Sequence, residues 1–183
     1  MRNLIFSAVF LTFVVSSTTL FAGPMKGFGL FAGTASHTTT DEALVETSTS
    51  GMGFGLDYQW VFKDILTSRL MMNLSNESLE TCANCNYSNT IVGLEGRYWM
   101  GDFFAGLHAG SLSHSVTTEN PDGTINDPIV GSGSSAGLSL GYEAPGGFIA
   151  NFLTVFSSIE FEDGTTADLS GVRLLLGYRW GKK

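Results

Sequence analysis

The chain has 183 residues, 23 of them glycine and only 4 proline, with 43% apolar and 14% charged residues and a formal net charge of −8. That is room for one domain, and a mean hydropathy of +0.17 is too high for a disordered acidic chain. The glycines follow no three-residue period and the apolar positions no heptad, which excludes collagen-like and coiled-coil folds.

Met1-Arg2-Asn3, an apolar core from Leu4 to Val15 and the small-residue end Ser16 to Ala22 read as a secretory signal peptide over residues 1–22. Cleavage after Ala22 leaves residues 23–183 as one exported domain, more acidic once Arg2 is gone and with no nucleic-acid footprint. No later segment approaches the run of about 18 apolar residues that a spanning helix needs. A membrane barrel needs only alternating segments of about ten residues, and those recur throughout.

Residues 27–37 give a first, weak alternation, followed by a polar stretch at 38–48. In 51–60, Met52, Phe54, Leu56, Tyr58 and Trp60 oppose Gly51, Gly53, Gly55, Asp57 and Gln59, so a strand there shows two unlike faces. A tight turn at 61–64 leads to a strand at 65–76, then a polar segment at 77–88. In 90–99, Val92, Leu94 and Tyr98 oppose Gly93, Glu95 and Arg97; a turn at 100–102 leads to 103–114, and 115–134 is long and polar. In 136–143, Leu138, Leu140 and Tyr142 oppose Gly137, Ser139, Gly141 and Glu143. A turn at 144–147, a strand at 148–159 and a connection at about 161–168 precede 171–180, where Val172, Leu174, Leu176, Tyr178 and Trp180 face away from Gly171, Arg173, Leu175, Gly177 and Arg179. The rhythm predicts an all-β, eight-stranded antiparallel up-and-down transmembrane β-barrel, long loops on one rim and short turns on the other.

Three features predict that the apolar set faces outward. An eight-stranded interior has room for glycines but not for rows of aromatic rings. Trp60, Tyr98, Trp99, Phe103, Tyr142, Phe148, Tyr178 and Trp180, with Phe28 and Phe104, gather beside the short turns, as an aromatic girdle at a lipid boundary does. The acids Asp41, Glu42, Glu46, Glu77, Glu80, Glu119, Asp122, Asp127, Glu160, Glu162, Asp163 and Asp168 lie in or beside the long loops, which contain no Lys or Arg. Lys26, Lys63, Lys182 and Lys183 mark the opposite rim, and Arg69, Arg97, Arg173 and Arg179 share the inward phase.

The segments "IVGLEGRYWMGDFFAGLHAG" and "SGVRLLLGYRW" resemble hairpins of small Gram-negative outer-membrane barrels of the OmpA, OmpX and opacity-protein type, a likeness of pattern spanning residues 27–180. The resemblance implies a multi-pass protein of the cell outer membrane, contacts with its lipid and lipopolysaccharide, and insertion by the barrel-assembly machinery through a last strand ending in an aromatic residue, here Trp180. It also implies roles in envelope integrity, adhesion or host-factor binding more often than catalysis.

The expected interior polar cluster comprises Arg69, Glu95 and His108, with Asp57, Arg97, Glu143 and Arg179 as a second layer nearer the short turns, and Arg173 also inward. A static salt-bridged plug and a gated ion path both fit it. Cys82 and Cys85 supply too few ligands for zinc; in an oxidising compartment they form a disulfide-closed loop, or else stay a free or redox-active pair. His37 and His114-Ser115 near the long-loop mouth raise a lipid A-modifying enzyme, although the His-x-Ser-Asn pattern of the deacylase type is missing. The acidic loops could bridge divalent ions weakly, meet a basic partner, or simply stay solvated; no EF-hand spacing occurs. The reading is a monomeric, non-enzymatic barrel with no metal or cofactor, in a structural or surface-interaction role, with an adhesin or a lipid A-modifying enzyme as alternatives.

Overall fold

The computed structural model describes residues 23–41, 45–79, 82–120 and 124–182; the expected leader lies outside them. Eight strands follow one another: β1 (Lys26–Asp41), β2 (Glu46–Lys63), β3 (Leu66–Leu79), β4 (Cys82–Met100), β5 (Phe103–Thr118), β6 (Ile129–Glu143), β7 (Phe148–Phe161) and β8 (Thr166–Lys182). Each pairs antiparallel with its neighbours and β8 pairs with β1, so the barrel closes with no free edge. Closure satisfies backbone N–H and C=O groups inside the wall, the condition for a sheet in hydrocarbon. Gly101 (φ 70°) and Gly147 (φ 91°) supply the left-handed conformation in two of the tight turns.

The register sets the shape. Following paired residues around the wall from Gly177 through Phe31, Gly55, Asn73, Ile91, Leu112, Gly133 and Ile159 leads back to β8 at Ala167, ten residues nearer the long-loop rim. A stagger of that size over eight strands tilts them by roughly 40° and leaves a lumen that side chains can fill. Residues on this path face inward, and the row shows how the space is shared: Phe31 stands beside Gly55 and Gly177, and Leu112 beside Gly133.

Outside the wall, the expected phase holds. Leu56, Leu94, Leu107, Leu138, Leu174 and their like are exposed, whereas Arg69, Arg97, Arg173 and Arg179 are buried. The apolar band runs from Trp60, Tyr98 and Trp180 up to Met52, Val92 and Val172, roughly 20–25 Å along the barrel axis, close to the apolar band of outer-membrane barrels. Just above it, every strand turns polar on its outer face: Ser36, Ser50, Asn76, Thr90, Ser111, Ser134, Ser158 and Ser170 form a belt at one level.

Two expectations need correction. The strands continue well past the band: β2 begins at Glu46 and β4 at Cys82, so most of 38–48 and 77–88, expected as loops, is paired sheet. Trp99 and Phe104 do not belong to the girdle; both point into the lumen, 1% and 2% exposed, and pack on each other with ring centroids 4.9 Å apart. The remaining girdle residues, Trp60, Tyr98, Phe103, Phe148, Tyr178 and Trp180, are exposed, and Tyr142 is half-buried against Phe103.

Outward placement of Leu174 predicts that Leu174→Arg lowers the unfolding free energy of the vesicle-embedded barrel by about 2–4 kcal/mol. Ser170→Arg, in the hydroxyl belt, should change it by less than about 1 kcal/mol. Denaturant titration of both variants in lipid vesicles checks the pair, and equal effects would contradict the position of the band.

Candidate functional site

Charged groups line the lower half of the lumen as one connected network. Arg69 on β3 donates from Nη1 to Asp57 Oδ2 on β2 at 2.6 Å and from Nε and Nη2 to Glu95 Oε2 on β4 at 2.8 and 2.6 Å. Arg97, two residues beyond Glu95 on the same inward face, donates from Nε to Glu95 Oε1 at 2.5 Å and from Nη1 to Gln59 Oε1 at 3.1 Å. Its guanidinium carbon lies 3.8 Å from the centre of the Phe104 ring, so the aromatic face covers the cation. Arg179 on β8 donates to both Asp57 oxygens at 2.8 and 3.0 Å and to Glu143 Oε2 at 3.3 Å. Ser139 donates to Glu95 Oε1 at 2.7 Å, and the Met25 N–H to Glu143 Oε1 at 3.1 Å.

The two layers expected from the sequence are therefore a single network, joined because Arg69 and Arg179 share Asp57. Three carboxylates, Asp57, Glu95 and Glu143, meet three guanidinium groups, and fork geometry lets each cation hold two acceptors. His108 is buried but outside the network: neither ring nitrogen has a hydrogen-bond partner. Gln59 and Ser139 join it although their types gave no electrostatic signal; only their inward phase could have marked them.

A second polar cluster lies nearer the long-loop end. Glu77, expected among the loop acids, is 2% exposed and lies inside the barrel. His37 Nδ1 lies 2.5 Å from its Oε1; Ser75 and Asn89 donate to that oxygen at 2.5 and 3.2 Å, and Thr49 donates to Oε2 at 2.6 Å. His114 Nδ1 is 2.7 Å from Asn89 Oδ1. Parity along β3 carries the signal that would have found it: Arg69, Met71, Asn73, Ser75 and Glu77 all fall on the inward side. Apolar side chains fill the rest of the lumen, Met71, Ile91, Leu112, Leu153, Val155, Ile159 and Leu169 in one group and Phe31, Trp99, Phe104, Ile149 and Leu175 in another. Among the described residues, these side chains and the polar clusters fill the lumen.

At the long-loop rim, Cys82 and Cys85 are joined by a disulfide. Asn84 beside them accepts a backbone hydrogen bond from Glu119, at 3.0 Å, so the second and third loops are tied together. Asn120 then bonds Thr124 and Asn126, closing a small outer hairpin on the third loop. Asp41, Glu46, Glu119, Asp127, Glu160, Glu162, Asp163 and Asp168 are all exposed there; Glu42, Glu80 and Asp122 lie outside the described residues. The Asp163 carboxylate accepts from the hydroxyl and the N–H of Thr165, which lowers its pKa from the ordinary aspartate value. Among the described residues, no group of three or more His, Cys, Asp or Glu is arranged to hold a metal ion.

No protein-family model and no curated protein matches the chain. Solved structures do. Ail, the attachment invasion locus protein of Yersinia pestis, in complex with the heparin analogue sucrose octasulfate, aligns with a TM-score of 0.59 at 15% identity, covering 85% of this chain and 100% of that one. Neisserial surface protein A aligns with a TM-score of 0.59 at 10% identity, covering 86% of this chain and 99% of that one. The protein thus has the fold of the small eight-stranded outer-membrane barrels that its hairpins resemble.

Arg69→Met leaves Asp57 with Arg179 alone and Glu95 with Arg97, and should lower stability by about 3–5 kcal/mol. Ser139→Ala, which removes one neutral donor from the same carboxylate, should cost about 1 kcal/mol. Urea titration of the refolded barrel, followed by tryptophan fluorescence, reads both.

Proposed function

We propose that the chain is a non-enzymatic protein of the outer membrane that stiffens the envelope and presents its acidic rim to a cationic partner. The observation that carries this reading is the separation of charge. Three of the four lumen arginines are spent on lumen carboxylates, while the segments at 38–48, 77–88, 115–134 and 161–168 that form the opposite rim contain no Lys or Arg at all. The rim field is consequently of one sign and reaches about 8–10 Å into physiological saline.

Two fold neighbours, one an attachment invasion locus protein and the other a neisserial surface protein, support a surface role. The ligand class must differ. Ail is seen with a polysulfated sugar, and a polyanion would be repelled by a rim that offers only carboxylates. A basic protein segment, or lipopolysaccharide phosphates bridged by divalent ions, suits this chain better. The adhesin alternative fits within this reading, with a basic host or phage factor as the partner. Lipid and lipopolysaccharide surround the apolar band, the barrel-assembly machinery inserts it, and one chain suffices, since the wall closes on itself.

Lipid A modification finds less support. His114 is 3% exposed and committed to Asn89 inside the lumen, away from any acyl chain at the outer wall. His114→Gln should therefore leave the lipid A mass profile of expressing cells unchanged; a lost or gained acyl chain that depends on His114 would establish the enzyme.

Replacing Asp41, Glu46, Glu119, Asp127, Glu160 and Glu162 with their amides should weaken capture of fluorescent oligolysine by whole cells about tenfold at low salt. The heat-modifiable gel band of the outer-membrane fraction should persist, showing an intact barrel. Undiminished capture by that variant would overturn the proposed partner class, and absence of the band from the wild-type fraction would overturn the membrane placement.

A further inference from the structure

One lumen cation stands apart from the network. Arg173 on β8 is 1% exposed and extends to β3, where its Nη2 donates to Ser75 Oγ at 3.2 Å. Its Nε and Nη1 have no hydrogen-bond partner, and among the described residues no carboxylate lies within ion-pair distance of it. Ser75 is neutral and supplies no counter-charge; it accepts from Arg173 and donates its proton to Glu77. Glu77 already accepts from Thr49, Ser75 and Asn89 and contacts His37, so its charge reaches Arg173 only across a hydroxyl.

Two further groups at this depth lack partners. Asn73 Nδ2 is on the same inward face of β3 as Ser75, two residues nearer the short turns. His108, on β5, has both ring nitrogens unpartnered and is close enough to interact electrostatically with Arg173. Either tautomer of its ring offers one N–H.

The wall makes room here. With a stagger of ten residues over eight strands, each step to the next strand climbs by about one and a quarter residues. The inward positions nearest the height of Arg173 are Gly33, Gly53, Asn73, Gly93, Gly110, Gly137 and, on β7, Val155. Five of these seven have no side chain, and the space they leave beside Arg173 is shared with the Leu175 and His108 side chains.

We propose that the lumen at this level binds one small inorganic anion of halide size, held by the Arg173 guanidinium with the Asn73 amide and the His108 ring N–H as further donors. Water could satisfy the N–H groups, but it would leave a buried cation in no direct ion pair, with Glu77 held off by the Ser75 hydroxyl. The donor set also selects by sign: a guanidinium and an amide NH₂ repel a metal cation and offer an anion several hydrogen bonds. This site stands independently of the rim and its partner.

Crystals of the mature barrel grown in sodium bromide should show an anomalous bromide peak within hydrogen-bond reach of Arg173. In detergent, replacing gluconate by bromide at constant ionic strength should shift the unfolding equilibrium about tenfold at ten times the half-saturating concentration. Arg173→Gln should abolish that shift while keeping the heat-modifiable band; should it fail to fold, Asn73→Leu must weaken it. Ordered water in place of the peak, no difference between bromide and gluconate, or a bromide effect unchanged in the folded variants would each overturn the proposal.

Discussion

Closure of the hydrogen-bonded wall is the constraint on which everything else in this molecule depends. Hydrocarbon offers no partner to a peptide N–H, so the sheet must end on itself, and eight strands staggered by ten residues are how this chain does so. The choice fixes the lumen width and, with it, the ration of inward volume. Wherever an inward position carries Phe31, Leu112 or Trp99, others at its height must be small, and the glycines supply that space. An added β-carbon at Gly141 would fall 2.3 Å from the Phe104 ring, and one at Gly55 would fall 2.6 Å from the Asn73 oxygen. Glycine in these strands is thus the complement of a large neighbour, which outweighs its usual cost in a strand.

A narrow lumen also decides what its polar groups can do. Asp57, Glu95 and Glu143 have no bulk water to solvate them, and each is instead met by a guanidinium fork on an adjacent or facing strand. The ties cross between β2, β3, β4, β6 and β8, so the network braces the wall from within. Removing one partner leaves another as an unpaired buried charge, so each tie holds its neighbours in place.

Legibility of the fold in the sequence tracks the membrane. Between Trp60 and Met52, or Trp180 and Val172, one face meets lipid and the other meets the lumen, so the chain alternates sharply and the strands can be read. Above the polar belt, β2 and β4 carry mostly polar residues on both faces. There, Glu46–Ser50 and Cys82–Thr90 are paired sheet, and the hydropathy pattern carries no trace of it. Glu77 was hidden for the same reason: an acid beside a polar stretch looks like a loop acid until the parity of β3 is counted through it. Trp99 and Phe104 show the complementary failure. Composition gathers them with the girdle, yet Trp99 adjoins the outward Tyr98 and so must face the other way, where its Nε1 donates to Thr67 Oγ1 at 2.8 Å. The interior ion cluster was legible because Arg cannot face lipid; its connectivity was not, because that depends on side chains crossing between strands.

The same partition explains why the outer rim is free to be wholly acidic. Had lumen carboxylates lacked their own cations, rim anions would have added to an already negative column and weakened the barrel through self-repulsion. With the lower lumen neutral as a unit, the loops can accumulate Glu and Asp at little cost to the wall beneath them. The disulfide at Cys82–Cys85 and the Glu119–Asn84 hydrogen bond then hold two of those loops together as one surface. A fixed array of like charges pre-pays the entropy of arranging them, so an opposite array on a partner meets the field without first having to order the loops that carry it.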